Sequence, residues 1–350
     1  MIRFEALKGR DKILNMSNYV MHYLTNTEIE RFLQLLENDY RVLVPITLPD
    51  GTRSLGKLGS HPLALAGGAL PMKPSGIFSP YLETLLRFSP HNEAVMPQRS
   101  PKPLLVVGFT AQDLAGLEFV DRFFSVHYYD EQYFAKRKNA VIIGISGKCG
   151  KNGAMLKIAG GNCDLELIGD GENYILCAYS KIGKALIKPI DFGAKVEKTK
   201  LKQLRIISKK ILNEELKLLH QASKLILQEK VPDSFWEEIA ERCIACTACT
   251  LTCPTCTCFD VFDRLDKNKN IERVRLRDSC QLDGFMREAS GHNPMGTRCL
   301  RTRRRIHHKL AADVMRWGHI TCYLCGRCDD VCPTNIGIKS VCKELVARYA

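Results

Sequence analysis

Residues 241–260 read ERCIACTACTLTCPTCTCFD, and residues 321–335 read TCYLCGRCDDVCPTN. The first stretch sets Cys243, Cys246, Cys249 and Cys253 as C-x2-C-x2-C-x3-C-P. The second repeats that spacing with Cys322, Cys325, Cys328 and Cys332, again followed by proline. Three thiolates so close together wrap three corners of an iron–sulfur cubane through tight turns. The fourth, ahead of a proline that ends the loop, points away and in two-cluster ferredoxins serves the other cluster. The expectation is two [4Fe-4S] clusters with exchanged ligands. Cys243, Cys246, Cys249 and Cys332 hold one; Cys322, Cys325, Cys328 and Cys253 hold the other. A zinc site needs cysteine pairs split by a longer spacer, which neither run provides. Cys249, Cys253 and Cys256 also fit the C-x3-C-x2-C spacing of radical S-adenosylmethionine enzymes, but that spacing sits inside a better ferredoxin run and far from an N-terminal barrel strand.

Outward from these runs, the cysteines segregate. Of sixteen in 350 residues, thirteen follow Glu241, and cysteines at fixed short spacings in a chain this large point to metal rather than to a disulfide framework. The opening MIRFEALKGRDK has no apolar stretch like that of a signal peptide, and no run reaches transmembrane length, so the chain reads as soluble and cytoplasmic. Five cysteines of the C-terminal part remain: Cys256, Cys258, Cys280, Cys299 and Cys342. They read first as small buried residues around a sulfur-rich core; the alternative for Cys256, Cys258 and Cys280 is a further cluster or substrate sulfur. Cys149, Cys163 and Cys177 read as structural.

The residues before 230 carry a mixed α/β pattern. Apolar runs at 42–46, 104–109, 140–146 and 174–179 predict buried strands. The stripe Ile29, Phe32, Leu33, Leu35, Leu36 predicts a helix over 27–38, and a second follows Gly108 with Asp113 placed to cap it. Residues 45–103, rich in Pro and Gly, read as a long irregular connection. A Lys-rich helix over 201–228 is broken by Val231-Pro232, after which Ser234 and Glu237 have the spacing of a capping box for a short helix into the first cysteine run. The division is therefore 1–230, an α/β (α+β) scaffold or docking domain, and 231–350, an α-helical ferredoxin-like domain holding the two clusters.

Two other motifs imitate nucleotide sites or a nucleic-acid surface. GISGKCGKNG (144–153) imitates a phosphate loop, but its glycines are one residue too far apart and Asn152 stands where Ser or Thr would bind magnesium. No G-x-G-x-x-G follows a strand, so neither NAD nor FAD is expected on this chain. The formal charge of +13 falls once two clusters of about −2 each are counted. Much of the rest lies in the Lys-rich helix, read as a solvated or docking face rather than a nucleic-acid surface. RTRRRIHHK (301–309), between the cluster runs, is either a solvated helix face or a set of cations that stabilises the anionic clusters.

Taken together, WEEIAERCIACTACTLTCPTCTCFDVFD (236–263), RLRDSCQLDGFMREASGHNP (275–294), RTRRRIHHKL (301–310) and CYLCGRCDDVCPTNIGI (322–338) resemble a known family. It is the dicluster iron–sulfur subunit shared by soluble NiFe sulfhydrogenases, as their beta subunit, and by anaerobic sulfite reductases. GFTAQDLAGLEFVDRFF (108–124) resembles the same family, although Gln112 stands where many relatives carry cysteine. The resemblance implies a relay subunit that passes single electrons between a flavoprotein partner handling NAD(P)H, which keeps the flavin, and a catalytic redox partner. That partner would be a hydrogenase, a sulfite reductase or a heterodisulfide-reductase-like assembly. Two competing readings are a reductase with its own substrate or flavin site beside a cluster, and a basic zinc or nucleic-acid module.

Overall fold

The computed structural model describes residues 20–88, 94–95, 102–189, 198–267 and 270–350. The opening residues, on which an expectation above bears, lie outside the described residues. The chain divides into two compact units: one is built mainly from Leu7–Pro74 and Pro101–Glu215, the other mainly from Ser75–Ser100 and Leu216–Ala350.

The first unit is a seven-stranded mixed sheet. Its strands are β1 (Val20–Leu24), β2 (Arg41–Thr47), β3 (Arg53–Lys57), β6 (Leu104–Phe109), β7 (Val141–Gly147), β8 (Leu165–Gly169) and β9 (Tyr174–Ala178). They lie in the order β1-β9-β8-β7-β6-β2-β3. β2, β6, β7 and β8 run parallel, while β3, β9 and β1 are antiparallel to their neighbours. Every residue of β6, β7, β8 and β9 is buried, because both faces of a largely parallel sheet are covered; that is why these strands read as unbroken apolar runs. Around the sheet lie α1 (Asn26–Leu36), α2 (Ala111–Phe123), α3 (Glu131–Arg137), α4 (Lys181–Ile187) and the start of α5 (Lys198–Leu227). The cap of α2 is Thr110, three residues before the expected Asp113. Its Oγ1 accepts from Asp113 N at 3.2 Å while Asp113 Oδ2 accepts from Thr110 N at 3.2 Å, so Asp113 closes a capping box. After β7 the glycine-rich 147–153 segment ends in a short 3₁₀ turn at Lys151–Gly153 rather than opening a helix.

The second unit holds both cysteine runs. α6 (Asp233–Glu241) begins at Pro232 with no side-chain cap, so the expected Ser234 cap does not form. α7 (Ala248–Leu251), α8 (Arg298–His307), a π-helical turn (His308–Ala312), α9 (Asp313–Trp317), α10 (Arg327–Asp330) and α11 (Ile338–Tyr349) follow. Their core joins Phe235, Trp236, Ile239, Ile306, Leu310, Val314, Val341 and Leu345 to the C-terminal part of α5. The unit is not wholly helical, contrary to expectation. β4 (Leu82–Phe88), β5 (Ala94–Val95), β10 (Phe259–Leu265) and β11 (Ile271–Arg277) form an antiparallel sheet in the order β10-β11-β4-β5. The 45–103 segment is likewise not a bare connection, since it supplies β3 and β4. Sequence periodicity misses β4 because its partner is distant and charged. Glu83 pairs with Arg275 and Arg87 with Glu272 across the ladder, with N–O distances of 2.8 and 2.9 Å, and such cross-strand pairs stabilise a sheet without an alternating apolar pattern.

Candidate metal centre

The two cysteine runs fold alike. Two residues after the first cysteine of each run the backbone turns left-handed, at Ala245 (φ 53°) and Leu324 (φ 58°); four residues after it, Thr247 (φ 64°) and Gly326 (φ 79°) do the same. One helical turn then follows in each, α7 and α10. Three of these four positions are not glycine, and a non-glycine residue there costs about 1–3 kcal/mol. Strain repeated at matching positions of two segments is the mark of backbone bent to present amides and thiols inward.

The folded runs line two cavities. Cys243, Cys246, Cys249 and Cys332 line one, with Gln281, Thr302 and Arg305; its volume is about 20 Å³. Cys253, Cys322, Cys325 and Cys328 line the other, with Thr255 and Asp329, and its volume is about 60 Å³. Each cavity thus takes three cysteines from one run and the fourth from the other. Among the described residues no three His, Cys, Asp or Glu side chains converge at the spacing of a single metal ion; the eight thiols surround cavities instead.

The donor set suits an iron–sulfur cubane. Backbone amides of Ala245, Ile336 and Ile338 donate to the sulfurs of Cys243, Cys332 and Cys328, each at 3.4 Å, and such bonds favour the thiolate form that iron requires. The Cys-Pro-Thr repeat places a hydroxyl beside each fourth cysteine: Cys253 Sγ lies 3.4 Å from Thr255 Oγ1, and Cys332 Sγ lies 3.5 Å from Thr334 Oγ1. Burial drives the Cys328 thiol up to about 12 when it is considered alone, with Arg305 pulling the other way. That desolvation cost disappears once sulfur charge is neutralised by a metal.

Two buried cations stand behind the cavities. Arg305 and Lys309, one helical turn apart, are each 5% exposed. Arg305 lines the first cavity and donates from Nη2 to Ile336 O at 2.6 Å. Lys309 donates from Nζ to Thr255 Oγ1 at 2.6 Å. Burial alone would lower the pKa of either cation. Thiolate charge reverses that: Cys249, Cys328 and Cys256 hold Arg305 protonated, and Cys253, Cys256 and Cys322 hold Lys309 protonated. A buried charge is kept where it is paired, so these two members of the 301–309 segment are not a solvated face. The other thiols divide. Cys149, Cys177 and Cys342 are buried, and burial raises each to about 12; Cys163 is buried as well.

Sequence reading missed the support of the second run. Asp329 accepts at Oδ1 from Ser340 N (2.9 Å) and at Oδ2 from Lys339 N (3.3 Å), which caps α11. A Cβ on Gly337 would lie 2.3 Å from Asp329 Cγ and 2.5 Å from its Cα. Gly337→Ala is therefore expected to push Asp329, and Cys328 beside it, out of place at a cost of about 1–3 kcal/mol. The check is an anaerobic chemical-denaturation midpoint with iron content alongside, and an unchanged midpoint counts against the contact. Cys342→Ala, by contrast, is expected to leave iron content at the wild-type value, since Cys342 sits in the helical core and lines neither cavity.

Known proteins share this segment. Residues 242–336 match the 4Fe-4S dicluster domain family. Residues 242–336, which hold the two cavities, thus match an iron–sulfur dicluster domain, and the chain resembles the dicluster iron–sulfur proteins. Among curated proteins it is 28% identical over 249 residues to sulfhydrogenase 2 subunit beta of Pyrococcus furiosus, a match covering 69% of this chain and 73% of that one. It is also 27% identical over 232 residues to cobalt-precorrin-5B C(1)-methyltransferase of Methanococcus aeolicus, covering 61% of this chain and 56% of that protein's length. No solved structure matches the chain. The chain is accordingly an iron–sulfur electron-transfer protein that resembles a sulfhydrogenase beta subunit.

Proposed function

We propose that the chain is a relay subunit of an oxidoreductase complex, with Cys243, Cys246, Cys249 and Cys332 holding one [4Fe-4S] cluster and Cys322, Cys325, Cys328 and Cys253 the other. The observation that carries this is the exchange of the fourth cysteine between the two cavities. When bound, such clusters supply one-electron redox chemistry at a potential tuned by nearby charge and hydrogen bonds. The chain's own part is to hold eight thiolates, to keep a cation behind each cavity and to fix both sites in one compact unit. Similarity to a sulfhydrogenase beta subunit supports a flavoprotein partner that takes up NAD(P)H and keeps the flavin, with a hydrogenase, sulfite reductase or heterodisulfide-reductase-like catalytic partner. Among the described residues no helix is long and apolar enough to cross a membrane.

The test is iron and acid-labile sulfide on anaerobically purified protein, with the visible spectrum. About eight of each per chain, in two cubanes, with a brown colour that dithionite bleaches, is the expected result; zinc without sulfide would overturn it. NADPH together with a ferredoxin-reducing flavoprotein is then expected to bleach the colour, while NADPH alone is not. Bleaching by NADPH alone would place a flavin on this chain and sink the partner assignment.

A further inference from the structure

The cysteines left outside the two cavities are not scattered. Cys258 directly precedes β10, and Cys280 lies three residues beyond β11. The ladder between them continues past the strands through Asp278 N donating to Cys258 O at 3.0 Å. The Cys258 and Cys280 thiols act on each other directly. Both are free cysteines, Cys280 buried and Cys258 half-buried.

On one side the pair leads to the first cavity through a single side chain. Gln281 Nε2 lies 3.8 Å from Cys280 Sγ, and Gln281 Oε1 lies 3.8 Å from Cys243 Sγ. The Gln281 carboxamide is held in place by donating from Nε2 to Arg301 O at 2.8 Å. On the other side Cys258 neighbours Cys256, whose thiol is hydrogen-bonded to Cys253 of the second cavity. The pair thus has one neighbour in each thiol-lined site. Basic groups face it from three elements: Arg305 from α8 and His308 from the π-helical turn act on Cys280, Lys309 of the same turn acts on Cys258, and Arg277 at the end of β11 feels the Cys258 charge. Cys258, then Gln281 and Arg305, draw the Cys280 thiol below its ordinary range against the opposing effect of burial. A thiolate beside a second thiol is the arrangement that thiol–disulfide chemistry requires.

We propose that Cys258 and Cys280 form a redox-active dithiol/disulfide couple placed between the two cluster sites. The proposal rests on the cluster reading above. In the oxidised state the two sulfurs are joined by an S–S bond. Reduction breaks that bond, takes up two electrons and two protons, and leaves two thiols. The electrons come one at a time from carriers of the iron–sulfur class, one from each neighbouring site. In the reverse direction the couple gives two electrons back singly. Such a couple lets a chain of one-electron centres hold an electron pair, which a two-electron partner chemistry needs.

The experiment uses the full-length protein, purified anaerobically. It is poised either with oxidised thionin or with dithionite, then quenched in acid denaturant with N-ethylmaleimide and mapped by peptide mass spectrometry. The Cys258–Cys280 linked peptide is expected to dominate in the thionin sample, and both residues are expected to be alkylated in the dithionite sample. Alkylation of both residues under both conditions would overturn the couple. A reductive titration of wild type is expected to take up about four electrons per chain, against about two for Cys258→Ser and Cys280→Ser, because the couple adds two to one per cluster. Equal uptake by wild type and variants would likewise overturn it. Iron content separates the alternatives: loss of iron from either variant makes these cysteines cluster ligands and ends the proposal. Wild type that forms the linked peptide yet holds no iron upholds the couple and overturns the cluster reading.

Discussion

Cys246→Ala combined with Cys332→Ala is expected to leave about four irons per chain, whereas Cys246→Ala combined with Cys253→Ala is expected to leave close to none. The reasoning is geometric. Cys246 and Cys332 line the same cavity although they stand far apart in the chain, while Cys246 and Cys253 belong to one sequence run but line different cavities. A cubane that loses one of four thiolates keeps no spare ligand, so the first double variant damages one site twice and the second damages both sites once. Cys246→Ala and Cys325→Ala alone are each expected to lose one cluster and to interrupt electron flow. Cys246 is exposed, so its removal opens no cavity in the core and the variant keeps its fold. The opposite outcome, with the Cys246 and Cys332 pair losing all iron, would mean that each run ligates its own cluster. Unchanged iron in both single variants would end the ligand assignment altogether.

The second large effect is electrostatic. Arg305→Met removes a buried positive charge that acts on Cys249 of the first site and Cys328 of the second, and it is expected to lower the reduction potentials of both while iron stays near the wild-type value. Charges near 8 Å apart in a medium of effective dielectric about 20 interact by roughly 1–2 kcal/mol, or about 40–90 mV for one electron. The direction follows from charge: reduction adds a negative charge, and a neighbouring cation stabilises it. Arg305 also satisfies Ile336 O, so the variant is expected to lose about 1–3 kcal/mol of stability as well. Stability alone does not distinguish a charge role from a packing role, but a potential measured by spectroscopic titration does. Arg305→Lys is expected to recover most of the shift. Lys309→Met removes a charge that faces Cys253 and Cys322 and is expected to act on the second site, and a shift of the first site alone would count against that placement.

How much of this was legible in the chain differs by element. β6, β7 and β9 were readable because each is buried on both faces and so is mostly apolar. β4 and β11 were not, because their residues are charged and their stability comes from partners far away in the chain. β1 and β8 were missed too; in β8 the buried Glu166 interrupts the apolar run. Arg305 and Lys309 were visible as members of a basic segment, yet Arg303 in the same segment is exposed to solvent at an ion pair with Asp233. Nothing in RTRRRIHHK ranks its cations. Only the helix phase does, turning positions 305 and 309 inward together. The Thr255 and Thr334 hydroxyls were recoverable from the repeated Cys-Pro-Thr, and that repeat went unused. The role of Gly337 was not recoverable, because it depends on the closeness of Asp329.

The sequence by itself determined the chemistry. Eight cysteines at two identical spacings define local loops, and the loop conformation follows from short-range backbone geometry that sequence encodes directly. The tertiary structure decided what depends on contacts between distant residues. It set which four thiols share a cavity, which two cations of a basic helix are buried behind them, and that Cys258 and Cys280 meet at the end of a β-ladder. Those are separations in space between residues far apart in the chain, and spacing along the chain does not specify them.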